Sequence, residues 1–274
     1  MNLRDLTTLD EFEAVVKLER EIWGFGPGED TVPLAILAIS VKRGGILMGA
    51  FDGPRMIGFV YSLAGMKDGQ PTQWSHMLGV VEERRGSGAG HRLKLAQRER
   101  ALARGLDLIE WTFDPLQAAN AHLNFRKLGI VVEEYAENIY GESTSPLHGR
   151  TPTDRFIAQW WIRKPHVERR LEAAGPLMRA ADVAAAPTVN RTTAAGRWRE
   201  CDGFDLSLTD RRVLVEIPVG FTEMLRDDPG LADAWRMATR EIFQHYFRRG
   251  YRAVDFFLDR PNRLGAYLLA LKDV

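Results

Sequence analysis

Residues 77–97 read MLGVVEERRGSGAGHRLKLAQ. The apolar run that ends at Val81 predicts a strand, the three glycines at 86, 88 and 90 predict a loop, and the residues after them predict a helix. A helix N-terminus presents unpaired N–H groups and the positive end of the helix dipole, and glycine lets an anion approach the backbone closely. This stretch therefore predicts a pyrophosphate-binding loop, to which Arg85 can add a charge-assisted hydrogen bond.

Two other glycine motifs do not fit this loop. A Rossmann fingerprint needs a glycine three residues after Gly88 or Gly90, where the chain has His91 and Leu93. A P-loop needs Gly-Lys followed by Ser or Thr, and the chain contains no such tripeptide. The alternative to a phosphate site is a flexible turn without a ligand, and the flanking sequence argues against it.

The flanking sequence resembles the GNAT superfamily of N-acyltransferases. Arg85-x-x-Gly88-x-Gly90, preceded by Val80 and Val81, is similar to the acyl-CoA motif of that family. The stretch NAHLNFRKLG at 120–129 is similar to its next signature, a helix with an asparagine that ends in an aromatic residue and Lys-x-Gly. The resemblance covers residues 1–162. It implies the GNAT α/β fold with a central mixed, splayed sheet, and acetyl-CoA or another acyl-CoA as co-substrate.

The resemblance also implies roles for individual residues. The backbone of Leu78, Gly79 and Val80 would bind the pantetheine arm and the thioester, and Asn120 would reach the same arm from its helix. The pyrophosphate would bind the N–H groups of the loop, which comprises Arg85, Gly86, Ser87, Gly88, Ala89, Gly90 and His91.

Acyl transfer to an amine needs a proton acceptor, because an alkylamine is mostly protonated near neutral pH. His76 lies on the strand before the loop, where strict alternation would place it on one face with Leu78 and Val80. In the family, a histidine at this position resembles the usual base. Glu110 on the neighbouring strand is the second candidate, either as base or as the carboxylate that orients the amine. A histidine with a purely structural role is the alternative.

The residue that protonates the leaving thiolate is not evident. Phe125 stands where the family often has a tyrosine, and phenylalanine cannot donate a proton. Asn124 or a water molecule is the alternative proton donor. Asn120, Asn124 and Phe125 are all expected to contact the cofactor. The spacing of Phe125 with Ala121 and Leu128 also predicts a core position.

Composition excludes several classes of protein. Lys plus Arg and Asp plus Glu both total 37, so the net charge is zero, which argues against a protein that coats nucleic acid or an anionic membrane. Cys201 is the only cysteine and cannot form an internal disulfide, and the histidine spacing predicts no metal site. The first residues do not resemble a signal peptide, and the apolar run Val32–Val41 is too short to cross a bilayer. A cytoplasmic location is expected, and a homodimer is compatible with the sequence.

Two domains are predicted, with the boundary at Lys164-Pro165. The first, 1–164, has the order β, two helices, three strands in a meander, then α-β-α-β-β. The second, 165–274, is a smaller α/β domain with helices over Val167–Ala186 and Leu231–Arg249. Its segment 249–259 echoes 104–114, since both contain Arg-Gly, a central acid, aromatic residues and a final Asp. A degenerate copy of half of the first domain is one interpretation, and convergence of helix-Gly-strand units is the other.

The acceptor is expected to be a small amine. Trp23 between the first two helices and Arg150 in the 140–156 loop are the candidate contacts, although packing and a solvated loop are the alternatives. The overall pattern resembles a two-domain group of GNAT proteins suspected to transfer acetyl or succinyl groups to amino acids. Two competing hypotheses are a non-catalytic acyl-CoA sensor and a nucleic-acid-binding protein. The second would use the basic helix residues Arg92, Lys94, Arg98, Arg100 and Arg104.

Overall fold

A computed structural model of the chain describes residues 1–26, 31–141, 151–172 and 185–272. Contacts between Cα atoms divide the chain into two compact units. Unit 1 comprises 1–111, 144–146 and 161–163, and unit 2 comprises 112–143, 147–160 and 164–274. Helices and strands occur in both units, so the predicted mixed α/β class is confirmed.

Unit 1 is a sheet with helices on its faces. In chain order its elements are β1 (Asn2–Asp5), α1 (Leu9–Trp23), α2 (Leu34–Lys42), β2 (Ile46–Asp52), β3 (Arg55–Lys67), β4 (Gln70–Val80), a 3₁₀ turn (Glu82–Arg84), α3 (Ala89–Ala103) and β5 (Leu108–Phe113), whose last two residues belong to unit 2. The strand order is β1-β2-β3-β4-β5. Neighbours are antiparallel except for β4 and β5, which are parallel, so the sheet is mixed as predicted.

Local sequence signals explain where these elements begin and end. A capping box at the start of α1 satisfies two backbone donors, because Thr8 and Glu11 bond each other's backbone N–H groups. Gly24 closes α1 in the left-handed conformation with φ of 70°. The dipeptide Asp52-Gly53 is a sequence signal for a hairpin turn, and it joins β2 and β3 as a hairpin, with φ of 57° at Gly53.

Unit 2 contains five strands that pair in series and a separate two-stranded hairpin. Its elements are α4 (Ala118–Ala121), a π-helix (His122–Leu128), β6 (Val131–Ala136), β7 (Arg155–Trp161, with Trp161 assigned to unit 1), α5 (Pro165–Glu172), β8 (Asn190–Ala195), β9 (Trp198–Phe204), β10 (Arg212–Pro218), α6 (Phe221–Asp227), α7 (Pro229–Arg248), β11 (Tyr251–Asp259) and β12 (Leu264–Leu271). The strand order of the sheet is β7-β6-β11-β12-β10, and β8 and β9 form the hairpin.

The core of unit 2 is aromatic. The ring of Phe156 on β7 lies 4.7 Å from that of Phe243 on α7 and 5.4 Å from that of Tyr267 on β12. Phe125 of the π-helix is fully buried against Tyr267 at 5.7 Å, so its predicted core position is confirmed. Edge-to-face packing of this kind adds to the free energy gained by burial.

The compact units divide the chain elsewhere than at Lys164-Pro165. Strands β6 and β7 lie in the expected first domain, yet they belong to unit 2 because they pack with α7 and β11. The boundary at 164/165 stays a prediction about independently folding parts. The β8–β9 hairpin and α6 were not predicted. The helix expected over Val167–Ala186 is seen as far as Glu172, and 173–184 lie outside the described residues.

Candidate functional site

The glycine loop leaves the start of α3 without a side-chain cap. Gly86 and Gly88 have φ of 76° and 85°, a conformation that glycine adopts without steric cost. Gly88 is the N-cap residue, and no side chain bonds to the amides of the first turn. The N–H of Arg92 bonds to the carbonyl of Gly88 at 3.0 Å. The N–H groups of Ala89 and Gly90 are therefore available to an anion.

A gap opens beside this loop between the parallel strands β4 and β5. Their paired residues are Gln73 with Ile109 and Trp74 with Glu110, although β4 continues to Val80. On its other side, β4 pairs with β3 as far as Val80. The strands thus separate after Trp74, in agreement with the predicted splay. The backbone of Leu78–Val80 lies along this gap.

A β-bulge at His76 changes which residues of β4 share a face. Ser75 pairs with Ser62 and Met77 with Tyr61, so His76 is the extra residue. Leu78 and Val80 face α3, because a Cβ built on Gly90 would lie 3.7 and 3.8 Å from their side chains. The ring of His76 instead contacts that of Tyr61, whose hydroxyl bonds to Ser40 of α2. The expectation that alternation places His76 with Leu78 and Val80 is therefore wrong, because the bulge resets the alternation.

His76 is suited to accept a proton. It lies on the face of the sheet that α1 and α2 cover, opposite α3. Its side chain is exposed, but the atoms around the ring desolvate it and lower its pKa. A lowered pKa keeps the imidazole neutral near pH 7, and only a neutral imidazole has a free lone pair for a proton.

Glu110, the second candidate base, is held by a cation. Its carboxylate is nearly buried and forms an ion pair with Lys67 of β3, with 2.8 Å between Nζ and Oε1. Because Lys67 occupies this oxygen, Glu110 is less suited than His76 to take a proton from an amine. Its assignment as a catalytic group stays a prediction.

Trp23, a candidate acceptor contact, packs where α1 meets β4. A Cβ at Gly79 would approach Ile22 to 2.8 Å and Trp23 to 3.0 Å, so only glycine allows this contact. The indole ring lies edge-on to Phe59 at 5.9 Å and is partly exposed. Arg150, the other candidate contact, lies outside the described residues.

The second signature lies in unit 2 and folds differently from the expected α-helix. After one α-helical turn, the chain continues as a π-helix from His122 to Leu128, a form that is rare and often occurs at functional sites. Asn120 is exposed, Asn124 is buried, and Phe125 is in the core. Their expected contacts with the pantetheine arm stay predictions.

Lys94 on α3, which the sequence analysis placed among the basic residues of this helix, is buried. It is 2% exposed, and its Nζ donates to Ser75 Oγ at 2.8 Å and to Gln97 Oε1 at 3.2 Å. The same ammonium lies 3.6 Å from the ring centroid of Trp111. Burial lowers the pKa of Lys94 well below its ordinary value. None of these contacts is a carboxylate.

The helical spacing of Ala89, Leu93, Ala96 and Ala103 predicts that they share the buried side of α3, and this prediction is only partly correct. The buried residues are Ala89, Leu93, Lys94, Gln97 and Ala101, whereas Ala103, which was expected on the apolar side, is exposed. Lys94 is therefore not part of a solvated basic face.

The other arginines of α3 are bonded within unit 1. Arg98 donates to the carbonyl of Ile162, Arg100 to both carboxylate oxygens of Asp5, and Arg104 to the carbonyl of Gly44. These bonds engage the guanidinium groups that a nucleic acid would need. Over the described ranges, no three His, Cys, Asp or Glu side chains form a metal-binding cluster, and no described helix is both long and apolar enough to span a bilayer.

Glu19 on α1 is a second buried charge that was not predicted. It is fully buried, and its Oε2 accepts the N–H of Val32 at 2.9 Å. Its other oxygen, Oε1, has no hydrogen-bond partner among the residues that the structure describes. Burial raises the pKa of Glu19 to about 7, against the opposing effects of the Val32 amide and Arg20. A charged residue on the apolar face of α1, between Val15 and Trp23, was the available sequence signal.

No family model matches the chain, and no curated protein matches it. Among solved structures, it is similar to the ribosomal-protein-S18-alanine N-acetyltransferase of Escherichia coli, at 15% identity over 60% of this chain and 94% of the other, with a TM-score of 0.48. It is also similar to an acetyltransferase of the GNAT family from Streptococcus pneumoniae (16% identity, 58% and 97% covered, TM-score 0.46). A third is the PaiA N-acetyltransferase of Thermoplasma acidophilum in complex with coenzyme A (15% identity, 58% and 96% covered, TM-score 0.43). At these identities and TM-scores, the likeness does not bear on the reaction, which has to be argued from the residues.

Proposed function

We propose that this chain is a CoA-dependent N-acyltransferase of the GNAT type that transfers an acetyl or succinyl group to the amine of a small molecule such as an amino acid. The supporting observation is the uncapped start of α3 directly beside the gap between β4 and β5. A helix end without a cap stabilises a diphosphate, and strand backbone without a partner strand can pair with the amides of pantetheine.

In this proposal, each part of the donor has a binding partner. The pyrophosphate binds the N–H groups of Ala89 and Gly90, and Arg85, which is exposed, reaches the phosphate oxygens. The pantetheine arm lies along Leu78–Val80, so that the thioester comes close to the bulge at His76. The acceptor approaches from the face opposite α3, since α3 covers the other face.

His76 is the group that handles the proton released as the C–N bond forms. The neutral imidazole accepts a proton from the attacking nitrogen and passes it to the sulfur as the C–S bond breaks. Because the pKa of His76 is lowered, its protonated form is a good acid for the thiolate. This relay removes the need for a hydroxyl at Phe125.

Turnover with a panel of acceptors tests the proposal. Acetyl-CoA and succinyl-CoA are each incubated with the common amino acids and with simple alkylamines, and CoA release is followed with a thiol reagent. Acceptor-dependent CoA release is expected. Measurable CoA binding without release for any acceptor would instead favour the acyl-CoA sensor.

Lys94 bears on the choice between acetyl and succinyl. Its partners Ser75 and Trp111 follow the last paired residues of β4 and β5, so the ammonium lies at the closed end of the gap. An acyl group that extends past the thioester points to this end. A succinyl group would bring a carboxylate as counterion for Lys94, and proton uptake would restore the charge that burial disfavours. Succinyl is therefore the preferred donor in this proposal.

The donor preference is measured as the ratio of kcat/KM for succinyl-CoA and acetyl-CoA. In Lys94→Met, which keeps the length of the side chain, this ratio is expected to fall roughly tenfold or more, because a charge-assisted hydrogen bond is lost. The control is Lys42→Met at the exposed end of α2. An unchanged ratio in Lys94→Met would leave acetyl as the donor.

A further inference from the structure

Oε1 of Glu19 is a buried polar atom that lacks a partner among the described residues. Each such atom costs free energy, and a functional ligand is one reason for keeping it; the other buried side-chain atoms of this kind in the described part of the chain are nitrogens of histidine and arginine, whereas Glu19 Oε1 is a carboxylate oxygen. A hydrophobic residue would avoid this cost. The carboxyl group therefore indicates a ligand that supplies a proton or a positive charge.

The position of Glu19 is on the side of the sheet where the acceptor would enter. Val15, Glu19 and Trp23 are spaced by four residues on one face of α1. Trp23 contacts β4 at Gly79, so Glu19 lies one helical turn from that contact, on the face opposite α3. The bond from Glu19 to the Val32 amide also fixes the segment that leads into α2.

The groups around Glu19 form a buried polar cluster between α1, α2 and the sheet. Burial raises the pKa of Tyr61 on β3, and the charge of the nearby Glu19 carboxyl adds to this rise. The Tyr61 hydroxyl lies 2.6 Å from Ser40 Oγ on α2, and its ring meets that of His76. The charge of Arg20, an exposed neighbour on α1, lowers the pKa of Glu19.

We propose that Glu19 binds the ammonium group of the acceptor and takes the first of the two protons that its nitrogen must lose. This inference rests on the proposed acyltransferase function. It names the acceptor class as a primary amine that arrives protonated, and it separates the roles of two residues. Glu19 acts before bond formation, and His76 acts after it.

The protons and electrons balance in this scheme. The acceptor RNH₃⁺ gives one proton to the Glu19 carboxylate and becomes RNH₂, whose lone pair attacks the thioester carbon. The C–S bond then breaks with its electron pair on sulfur, and the remaining proton passes from nitrogen through His76 to give CoA-SH. Glu19 finally releases its proton to water. The raised pKa of Glu19 supports the scheme, because a base near the working pH is the most efficient.

The test compares Glu19→Gln with Glu13→Gln, the same change at an exposed position of the same helix. Glutamine retains the volume and can still accept the Val32 N–H, so the fold should be kept. With the best amine of the acceptor panel, kcat/KM is expected to fall about 10²-fold in Glu19→Gln and to stay unchanged in Glu13→Gln. CoA binding, measured by thermal shift, should be equal in all three proteins.

The pH profile distinguishes catalysis from a structural role. In the wild type, kcat/KM should rise with pH through about 7 as Glu19 loses its proton, and this limb should vanish in Glu19→Gln. A hydrazide analogue of the acceptor, whose nitrogen is neutral at pH 7, should lose much less activity in the variant.

The outcomes separate this inference from the proposed function. If the wild type acylates amines and Glu19→Gln does so equally well with the same pH profile, the role of Glu19 is overturned and the acyltransferase stands. If the wild type acylates no amine, both fail together.

Discussion

The two units treat buried charges in opposite ways. In unit 2, Asp114 pairs with Arg236 at 2.7 Å, and Asp255 contacts both Arg126 and Arg170 at 3.2 Å. In unit 1, Glu110 pairs with Lys67, but Glu19 and Lys94 are buried without an opposite charge in hydrogen-bonding contact within the described ranges. A paired buried charge is satisfied by the fold itself, whereas an unpaired one is satisfied only when a ligand arrives. In the proposed function, the substrates therefore bind in unit 1.

The parallel strands of the two units show the same contrast. In unit 1, β4 and β5 are joined through α3 and separate after two pairs of residues. In unit 2, β10 and β11 are joined through α6 and α7, but β12 lies between them and pairs with both. The N-terminus of α7 is likewise occupied, because Asp228 accepts the N–H of Leu231, whereas α3 begins at an uncapped glycine. The corresponding features of unit 2 are thus filled by its own chain.

Gly90→Glu tests the contrast between the uncapped start of α3 and the capped start of α7, and it has the largest expected effect. Gly90 lacks a left-handed φ, and a Cβ there meets only ordinary contacts, so the fold should tolerate the change. The new carboxylate would repel the diphosphate, and CoA should bind at least about 10²-fold more weakly, or about 3 kcal/mol. Isothermal titration with CoA measures the loss.

Two controls accompany this variant. Gly90→Ala adds a methyl group without charge, and Gly230→Glu places the same charge at the equivalent second position of α7. Both should bind CoA as the wild type does. Normal affinity in Gly90→Glu would contradict the placement of the diphosphate.

Asp114→Asn tests the other side of the comparison, the buried charges of unit 2 that are paired within the fold. Burial alone would raise the pKa of Asp114, but the charge and hydrogen bonds of Arg236 outweigh it and lower the pKa. The variant leaves Arg236 buried without its counterion, which should cost about 3–5 kcal/mol of unfolding free energy at pH 7. Urea unfolding measures it.

The pH dependence and a surface pair provide the controls for Asp114→Asn. Since the pKa is lower in the folded state, the stabilisation is present above the unfolded pKa and is lost as the pH falls through the folded value. The difference between variant and wild type should therefore shrink in acid. Asp107→Asn removes the exposed pair with Arg163 and should cost less than about 1 kcal/mol. Equal losses in the two variants would contradict the assigned burial.

Glu19→Gln should change stability in the opposite direction and by a smaller amount. The pKa of Glu19 is higher in the folded than in the unfolded state, so the wild type loses stability as the pH rises from the unfolded value toward about 7. At pH 8 the variant should be more stable by up to about 3 kcal/mol, and at pH 5 by much less. Melting temperatures at the two pH values measure this. A loss of stability at pH 8 would mean that the carboxylate has a partner in the fold.

Much of the site could be predicted from sequence because its signals are local. The loop, the start of α3 and the strands on both sides follow from glycine positions and apolar runs, and they lie where these signals put them. His76 was singled out because of its position on β4, but the face of the sheet on which its side chain lies was predicted wrongly. A bulge depends on the register with β3, and residues 70–80 contain no local signal for it.

The burial of Glu19 and Lys94 was not predicted, for a different reason. The face that a helix buries is set by its tertiary partners, and apolar periodicity assigns charged residues to the solvent side by default. On α3, this rule predicts that Ala103 is buried and Lys94 exposed, whereas the structure has Lys94 buried and Ala103 exposed. The strand pairing of unit 2 could not be predicted either, because β6 and β11 pair through residues more than a hundred positions apart in the sequence.

The close fit at Gly79 has a consequence for changing the substrate range. The nearest atoms to this point belong to Ile22 and Trp23 in the last turn of α1 and to Phe59 on β3. In the proposed function, these side chains border the entrance for the acceptor. A larger residue at position 79 would displace the last turn of α1. A smaller residue in place of Trp23 would leave space beside Gly79. Both substitutions would change the size of the same opening.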